Sequence, residues 1–153
     1  MNEKRAYIDR LNLCMNQIDG LYYMAARKLG IKDNTLALFY VLNDGKPHTQ
    51  KEICEEWLIP RTTINTIVRE NVRRGYIRLE NDGHGKEKQI FLTEEGGKYA
   101  REILKSVYAA EETAMERTLE EFSPKLLTGL EAFTRYLKEA FHKELLDKEK
   151  KEQ

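Results

Sequence analysis

The sequence predicts a mostly α-helical fold with one small β-hairpin near its centre. Two closely spaced helices come first, and the second carries hydrogen-bond donors along one face. Two short β-like runs follow, separated by a polar tip that contains glycine. Long helices with wide apolar stripes precede and follow this core. The predicted class is therefore a winged helix-turn-helix domain, with the hairpin as its wing, flanked by long dimerisation helices.

The composition indicates a folded, water-soluble chain whose charge is unevenly distributed. Of its 153 residues, 41% are hydrophobic and 34% are charged. The 26 basic and 26 acidic residues cancel over the whole chain. The segment 60–89, however, has seven basic and four acidic residues, a net charge of +3. Even a few such cations make binding to a polyanion favourable and salt-dependent.

Composition gives no sign of export, membrane insertion or a cofactor. The N-terminus lacks the apolar region of a signal peptide, and no apolar run approaches the ~18 residues that a membrane span needs. Cys14 and Cys54 lie far apart, which indicates neither a disulfide scaffold nor a metal pair. The histidines, His48, His84 and His142, are scattered without other ligands at metal-binding spacing. We expect a cytoplasmic protein without cofactor, metal or membrane contact.

Long helices frame the chain. The first spans residues ~5–29, and its wide apolar stripe indicates burial against more than its own domain. After the hairpin, Thr93 is positioned to cap a helix that reaches about residue 121. Gly96-Gly97 weakens the first turn of that helix, and a close approach to another segment would explain it. Ser123-Pro124 is a strong start signal for the last helix.

The central domain begins with two shorter helices. The first, about 35–43, is apolar almost all round and should be central. Thr49 and Glu52 form the T-x-x-E pattern of a capping box, which predicts a helix from Gln50 to Trp57. Pro60 suits the first position of the helix that follows the turn. The inner face of the capped helix would hold Ile53, Cys54 and Trp57.

The stretch from Ile59 to Leu92 contains the predicted recognition helix and the wing. A buried face is predicted by apolar residues at helical spacing, namely Ile64, Ile67, Val68 and Val72. The opposite face carries donors and small hydroxyls, namely Arg61, Thr62, Asn65, Thr66, Arg69 and Arg73. Gly75 ends the helix, because glycine adopts the left-handed cap conformation without penalty. The β-like runs are 76–79 and 89–92, and the tip between them is 81–88.

These elements suggest three segments. Residues 1–32 form an N-terminal dimerisation helix, 33–92 the winged helix-turn-helix DNA-binding domain, and 93–153 long helices that complete the dimerisation region. The flanking helices have more apolar surface than so small a domain can cover, so a homodimer is expected. A two-fold dimer presents two recognition helices to half-sites about one helical turn, ~34 Å, apart.

The chain resembles the MarR family of transcriptional regulators over nearly its whole length. The resemblance rests on the strings HTQKEICEEW, PRTTINTIVRENVRRGYI and LTEEGGKYA. The LTEEG that follows the wing is the most characteristic of these, and the R-G-Y-I junction into the wing is also similar to the family pattern. The resemblance implies an obligate homodimer, binding to double-stranded DNA at a palindromic operator, and usually repression that a small ligand or oxidant relieves.

By this match, Thr62, Thr63, Asn65, Thr66 and Arg69 fall on the base- and phosphate-facing positions of the recognition helix. Lys86, counted back from Leu92-Thr93, falls where the family often has a wing arginine that enters the minor groove. Lysine lacks the planar fork of arginine, so we expect this wing to hold phosphate more than to read bases. The full set expected to contact DNA is Thr49, Gln50, Arg61, Thr62, Thr63, Asn65, Thr66, Arg69, Arg73, His84, Lys86 and Lys88.

The residue pattern leaves two further functions open. Tyr22, Tyr23, Phe39 and Tyr40 can line a pocket for a small aromatic or phenolic effector, although plain core residues would show the same pattern. Cys14 lies near tyrosines in the first helix, as the reactive cysteine does in oxidant-sensing members of the family. A buried, inert thiol explains the same position.

A protein-binding module is the alternative class. A winged helix can serve as a protein-interaction or dimerisation module without specific DNA binding, but its recognition helix should then expose apolar residues, and segment 61–73 is polar on its outer face. An enzyme is not expected, because there is no G-x-S-x-G, no glycine-rich phosphate loop and no grouping of histidine with carboxylates.

Overall fold

The computed structural model describes residues 3–81 and 87–146. Its elements in chain order are α1 (Glu3–Lys28), α2 (Asp33–Leu42), β1 (His48–Thr49), α3 (Gln50–Trp57), α4 (Arg61–Arg73), β2 (Ile77–Asn81), β3 (Lys88–Leu92), α5 (Glu94–Glu121), α6 (Lys125–Phe141) and a π-helical turn (His142–Leu146). The predicted class, mostly α-helical with a β-hairpin wing, is confirmed. The helix ends agree with the predicted ends to within about two residues.

The sheet has one more strand than the sequence predicts. β2 and β3 form the antiparallel hairpin, with Ile77 opposite Leu92 and Asn81 opposite Lys88. The two residues of β1 pair antiparallel with the other edge of β3, which places β3 in the middle of the sheet. Two residues are too few to show an alternating pattern, so the sequence could not predict this strand. It forms because the chain brings it alongside β3.

The chain divides into two compact units, residues 1–108 and 109–153. In the first unit, a cluster of buried side chains joins α2, α3, α4 and the sheet: Leu38, Val41, Leu42, Ile53, Ile64, Ile67, Val68, Ile77 and Ile90. A second cluster joins the end of α1, α2 and the first half of α5: Ala26, Leu36, Phe39, Ala100, Ile103, Leu104 and Val107. Because α2 contributes to both clusters, it occupies the central place that its nearly uniform apolar character predicts.

Two helices expose their apolar faces in the single chain. On α1 the exposed large side chains are Tyr7, Leu13, Met15, Ile18, Leu21, Tyr22, Tyr23 and Met24. On α6, within the second unit, they are Leu126, Leu127, Leu130, Tyr136, Leu137 and Phe141. No residue of α6 is buried, and Ala26 is the buried residue of α1. These faces are wider than the scattered apolar residues of an ordinary monomer surface.

The buried face of α4 differs at one position from the prediction. Ile64, Ile67 and Val68 are buried as expected, but Val72 is 39% exposed. Asn71 takes the predicted place of Val72 and is 1% exposed. The reason is the helical period of ~100° per residue, which brings residue 71 almost in line with Ile64 and turns residue 72 about 80° away. The side chain of Asn71 donates from Nδ2 to the carbonyl of Ile67 at 2.8 Å, while its Oδ1 has no hydrogen-bond partner among the described residues.

We expect Asn71→Leu to raise the free energy of unfolding by about 1 kcal/mol, because it removes a buried carbonyl oxygen that lacks a partner. Chemical denaturation at fixed protein concentration measures this change. Asn71→Ala is the matched control and should destabilise the protein, since it leaves a cavity at the same site. A loss of stability in Asn71→Leu comparable to that in Asn71→Ala would show that Oδ1 is hydrogen-bonded in solution.

The turn between α3 and α4 departs from the prediction in two ways. Trp57, expected on the inner face of α3, is 43% exposed and contacts Tyr40 edge-on, with ring centroids 5.9 Å apart. The turn begins directly after it, since Leu58 adopts the left-handed conformation (φ 50°), so the chain leaves the core there. Pro60 is the N-cap of α4 rather than its first helical residue, and its carbonyl accepts from the backbone amides of Thr63 and Ile64.

The start of α5 is joined closely to the turn that follows α4. The hydroxyl of Thr93 donates to the carbonyl of Gly75 at 2.6 Å and accepts from the amide of Gly96 at 3.0 Å. The amide of Thr93 donates to the carbonyl of Tyr76 at 3.0 Å. A Cβ on Gly96 would overlap that same carbonyl of Tyr76. The expected close approach is therefore present, and it requires glycine at position 96.

Candidate nucleic-acid interface

The outer face of α4 presents one continuous polar surface. With ~100° between successive residues, Thr62, Asn65, Thr66, Arg69 and Arg73 point within about 50° of a common direction. All five are exposed or half-buried. The hydroxyl of Thr66 donates back to the carbonyl of Thr62 at 3.0 Å, so its lone pairs remain for an outside donor. This surface combines two guanidinium groups, one amide and two hydroxyls.

Arg61 and Thr63 lie on the two flanks of this face, each about 100° from its centre. Arg61 points toward the wing, where its Nη2 lies 3.5 Å from the Oε1 of Glu87. Thr63 lines a groove on the other flank, together with Thr62, Thr66, Ile67 and the residues at the start of α2: Lys32, Asp33 and Asn34. The predicted contact residues of α4 therefore lie on its outer face and on both flanks of that face, not on a single face.

The cations on and beside the outer face of α4 differ in whether they form ion pairs. Within residues 3–81 and 87–146, neither Arg69 nor Arg73 forms an ion pair. Between them in the sequence, Glu70 contacts the ammonium of Lys32 at 3.5 Å. Arg69 and Arg73 are thus the cations that an external anion reaches without displacing an acid of the described chain.

Of the predicted wing contacts, Lys88 lies among the described residues. Lys88 is the first residue of β3, lies opposite Asn81 and is exposed. His84 and Lys86, the other predicted wing contacts, lie outside the described residues. On the outer side of the sheet, Arg78 forms an ion pair with Glu80 and lies over the ring of Phe91, 4.7 Å from its centroid.

The start of α3 is fixed by the predicted capping box. The hydroxyl of Thr49 accepts from the amide of Glu52 at 3.2 Å, and the amide of Thr49 donates to the Glu52 carboxylate at 2.7 Å. The backbone hydrogen bond from Thr49 lowers the pKa of Glu52 below its ordinary value. Just before this helix, the His48 Nε2 lies 3.0 Å from Asp44 Oδ1, and this hydrogen bond lowers the pKa of Asp44. Thr49 and Gln50 are both half-buried at this fixed helix start.

The lowered pKa of Glu52 predicts an acid-dependent loss of stability. Its contribution is fully present above the ordinary carboxyl pKa and is lost as the pH falls through the lowered folded value. Glu52→Gln keeps an acceptor for the Thr49 amide but cannot titrate, so the free energy of unfolding should fall less between about pH 6 and pH 3 than in the wild type. Glu55→Gln, also on exposed α3 surface, is the control, and an equal flattening in both variants would contradict the assignment.

The four residues predicted to line an effector pocket lie in different surroundings. Phe39 is fully buried and packs edge-on against Tyr76 and Tyr99, whose rings stack at 4.4 Å. Tyr40 is half-buried, with the ring of Tyr108 5.4 Å away on one side and Trp57 on the other. The remaining two, Tyr22 and Tyr23, are exposed on α1.

Cys14 is exposed on α1, whereas Cys54 is half-buried against the core of the winged domain. The described residues contain no group of three or more histidine, cysteine, aspartate or glutamate side chains placed to hold a metal ion. Among the same residues, no helix is both long enough and apolar enough to cross a membrane.

Three features of this site do not follow from residue patterns alone. They are the Arg61–Glu87 ion pair, the Lys32–Glu70 ion pair and the groove between α2 and α4. Each depends on how the hairpin or α2 packs beside α4. One local signal does indicate the Arg61–Glu87 ion pair. Since α4 begins with a proline and a cation and has no acid in its first turn, its start can attract an acid from elsewhere.

The arrangement is that of a winged helix-turn-helix protein. It consists of a capped helix, a left-handed turn, a helix with a polar outer face, and a hairpin wing within a three-stranded sheet. Residues 29–87 match the family model described as the MarR family. Similar solved structures cover most of the chain. A MarR family regulator from Neisseria meningitidis has a TM-score of 0.78 at 21% identity, covering 94% of this chain and 99% of its own. Residues 29–87 are therefore similar to the MarR family, and the chain has the winged-helix fold of solved MarR family regulators.

Two further structures share this fold. A MarR/EmrR family transcriptional regulator from Acinetobacter has a TM-score of 0.66 at 19% identity, covering 94% of this chain and 99% of its own. A MarR family transcriptional regulator from Listeria monocytogenes, solved in complex with 26mer DNA, has a TM-score of 0.66 at 17% identity, covering 94% of this chain and 93% of its own. No curated protein matches the chain in sequence.

Proposed function

We propose that this protein binds double-stranded DNA as a homodimer at a palindromic operator and represses transcription in the cytoplasm until a small effector releases it. The observation that carries the proposal is the outer face of α4, where Arg69 and Arg73 have no acidic partner among the described residues. Guanidinium groups and an asparagine amide can each form two hydrogen bonds to base edges in the major groove. Hydroxyls and further cations then hold the phosphates on either side.

The site residues of the proposal are those the sequence predicted. Thr62, Asn65, Thr66, Arg69 and Arg73 form the front of α4. Arg61 and Thr63 form its flanks. The DNA backbone is held by two residues at the start of α3, Thr49 and Gln50, and by three wing residues, His84, Lys86 and Lys88. The Listeria regulator with the same fold was solved with DNA, which supports a DNA ligand for this chain as well.

The exposed apolar faces of α1 and α6 support the homodimer. Together they present more than a dozen large apolar side chains to solvent in the single chain. Faces of this size are normally covered by a partner, and a second copy carries the same faces. In this proposal, segment 1–32 and segment 93–153 form the dimerisation region and 33–92 the DNA-binding domain.

The effector part of the proposal assigns an aromatic or phenolic small molecule to the region of Tyr40. Three rings meet there edge-on, those of Tyr40, Trp57 and Tyr108. Tyr22 and Tyr23 on α1 are exposed and can contribute, whereas Phe39 serves the buried core and would support the site from behind. An oxidant acting at the exposed Cys14 is the alternative signal, and low equivalents of peroxide that leave both Cys14 and DNA binding unchanged would exclude it.

Fluorescence anisotropy with a labelled random-sequence duplex at low salt tests the proposal. Binding at micromolar protein that weakens steeply with added salt is expected. Sedimentation equilibrium should give twice the mass of the chain, and selection of duplexes by the purified protein should return a two-fold sequence. A protein that binds no duplex at low salt would instead be a protein-interaction module.

A further inference from the structure

The recognition helix α4 begins without the anionic groups that helix starts normally attract. Its N-cap is Pro60, which offers no side-chain hydrogen bond, and its first turn contains no acid. In contrast, α3 starts with the Thr49–Glu52 capping box, and α5 starts with Glu94 and Glu95. The positive end of the α4 dipole is therefore uncompensated by its own residues.

Arg61 increases this positive charge, since it is the first residue of α4 and its side chain is 69% exposed. A cation at the positive end of a helix is locally unfavourable, but it suits an anion that arrives from outside. In the free chain an acidic residue of the wing forms an ion pair with Arg61. Glu87 lies just before β3, and its carboxylate is 3.5 Å from the guanidinium of Arg61.

We propose that Glu87 is an internal competitor for DNA phosphate at the start of the recognition helix. Its carboxylate occupies the place beside Arg61 where a phosphate of bound DNA would lie. DNA binding therefore exchanges one anion for another at Arg61 and brings Glu87 toward the backbone. Glu87 acts through Arg61 as a positioning residue, and its charge keeps the affinity for DNA of any sequence below what the cations alone would give.

The inference rests on the proposed DNA binding and makes a quantitative statement about it. Without the Glu87 carboxylate, the contact between Arg61 and phosphate gains one net positive charge, so the slope of log affinity against log salt should steepen by up to about 0.9. Near 0.1 M salt this corresponds to roughly five- to tenfold tighter binding. Sequence preference should change little, because a phosphate contact carries no base information.

The experiment compares Glu87→Gln with Glu80→Gln by anisotropy on one random-sequence duplex over a range of salt concentrations. Both glutamates belong to the wing and both are paired with an arginine, but Glu80 pairs with Arg78 on the outer side of the sheet. The net charge of the two variants is the same, so a general charge effect would move both equally. We expect Glu87→Gln to bind more tightly with a steeper slope, and Glu80→Gln to change by less than about twofold.

A double-mutant cycle separates competition from a change of fold. In the Arg61→Gln background the gain from Glu87→Gln should be largely lost, since the two residues act through one contact. A gain that persists in full in that background overturns the inference, as does an equal gain in Glu80→Gln. If the wild-type protein shows no salt-dependent DNA binding, the proposed function fails and this inference fails with it. If it binds DNA and Glu87→Gln binds no more tightly than Glu80→Gln, the inference alone fails.

Discussion

Arg69→Ala should weaken DNA binding by about fivefold or more near physiological salt. Arg69 lies at the centre of the exposed face of α4, and no acid among the described residues holds it. A guanidinium that pairs with a base edge contributes about 1–3 kcal/mol, which is up to ~150-fold in affinity. Anisotropy titrations on the random duplex and on a selected operator measure the change.

The same titrations distinguish two roles for Arg69. If it contacts phosphate, the loss is similar on both duplexes and the salt slope falls by about 0.9. If it pairs with a base, the loss is greater on the operator, and specificity at one position relaxes. Lys105→Ala on α5 is the control, because it removes one exposed positive charge from a helix outside the proposed interface. Unchanged affinity in Arg69→Ala would remove this residue from the interface.

Gly96→Ala should destabilise the protein by about 2–4 kcal/mol, the largest stability effect we expect from a single methyl group. The added Cβ would overlap the carbonyl of Tyr76, which already accepts a hydrogen bond from the amide of Thr93. Backbone cannot yield as a flexible side chain does, so the junction between α5 and the turn after α4 must open. The bonds from Thr93 to Gly75 and from Gly96 to Thr93 would be strained as well.

Gly97→Ala is the neighbouring control in the same helical turn. There the nearest group is the guanidinium of Arg101, 3.3 Å from the added Cβ, and the end of a long side chain can move aside. The better helix propensity of alanine should then leave stability unchanged or raise it by up to about 1 kcal/mol. Denaturation of both variants at one protein concentration gives the comparison. Equal losses would show that helix propensity or dimer contacts, and not the Tyr76 carbonyl, explain the effect.

Local signals predicted those parts of the fold that depend on neighbouring residues. The capping box at Thr49 is complete within four residues, and the period of Ile64, Ile67 and Val68 is a property of one helix. The unusual glycines at 96 and 97 indicated a close approach without showing to what. The burial of Asn71 was also predictable, because the helical period turns this residue inward. The prediction chose Val72 instead because Asn71 is polar.

Features that need two distant segments were not predictable in this way. The two residues of β1 become a strand only beside β3. Trp57 has the composition of a core residue, but the left-handed turn at Leu58 draws the chain away from the core at that point. The contact between Arg61 and Glu87 depends on how the hairpin folds back toward α4. The spacing of residues therefore predicted the hydrogen-bond donors of the site. The acid that pairs with Arg61, Glu87, is placed by tertiary packing and could not be predicted.

The position of α2 between the two clusters of buried residues has a consequence for folding. Leu38, Val41 and Leu42 belong to one cluster, and Leu36 and Phe39 to the other, all on a helix of ten residues. Neither cluster can lose its packing without exposing one side of the same short helix. The winged domain and the first half of α5 should therefore unfold as a single cooperative step, and the backbone amides of α2 should be the slowest in residues 1–108 to exchange with solvent.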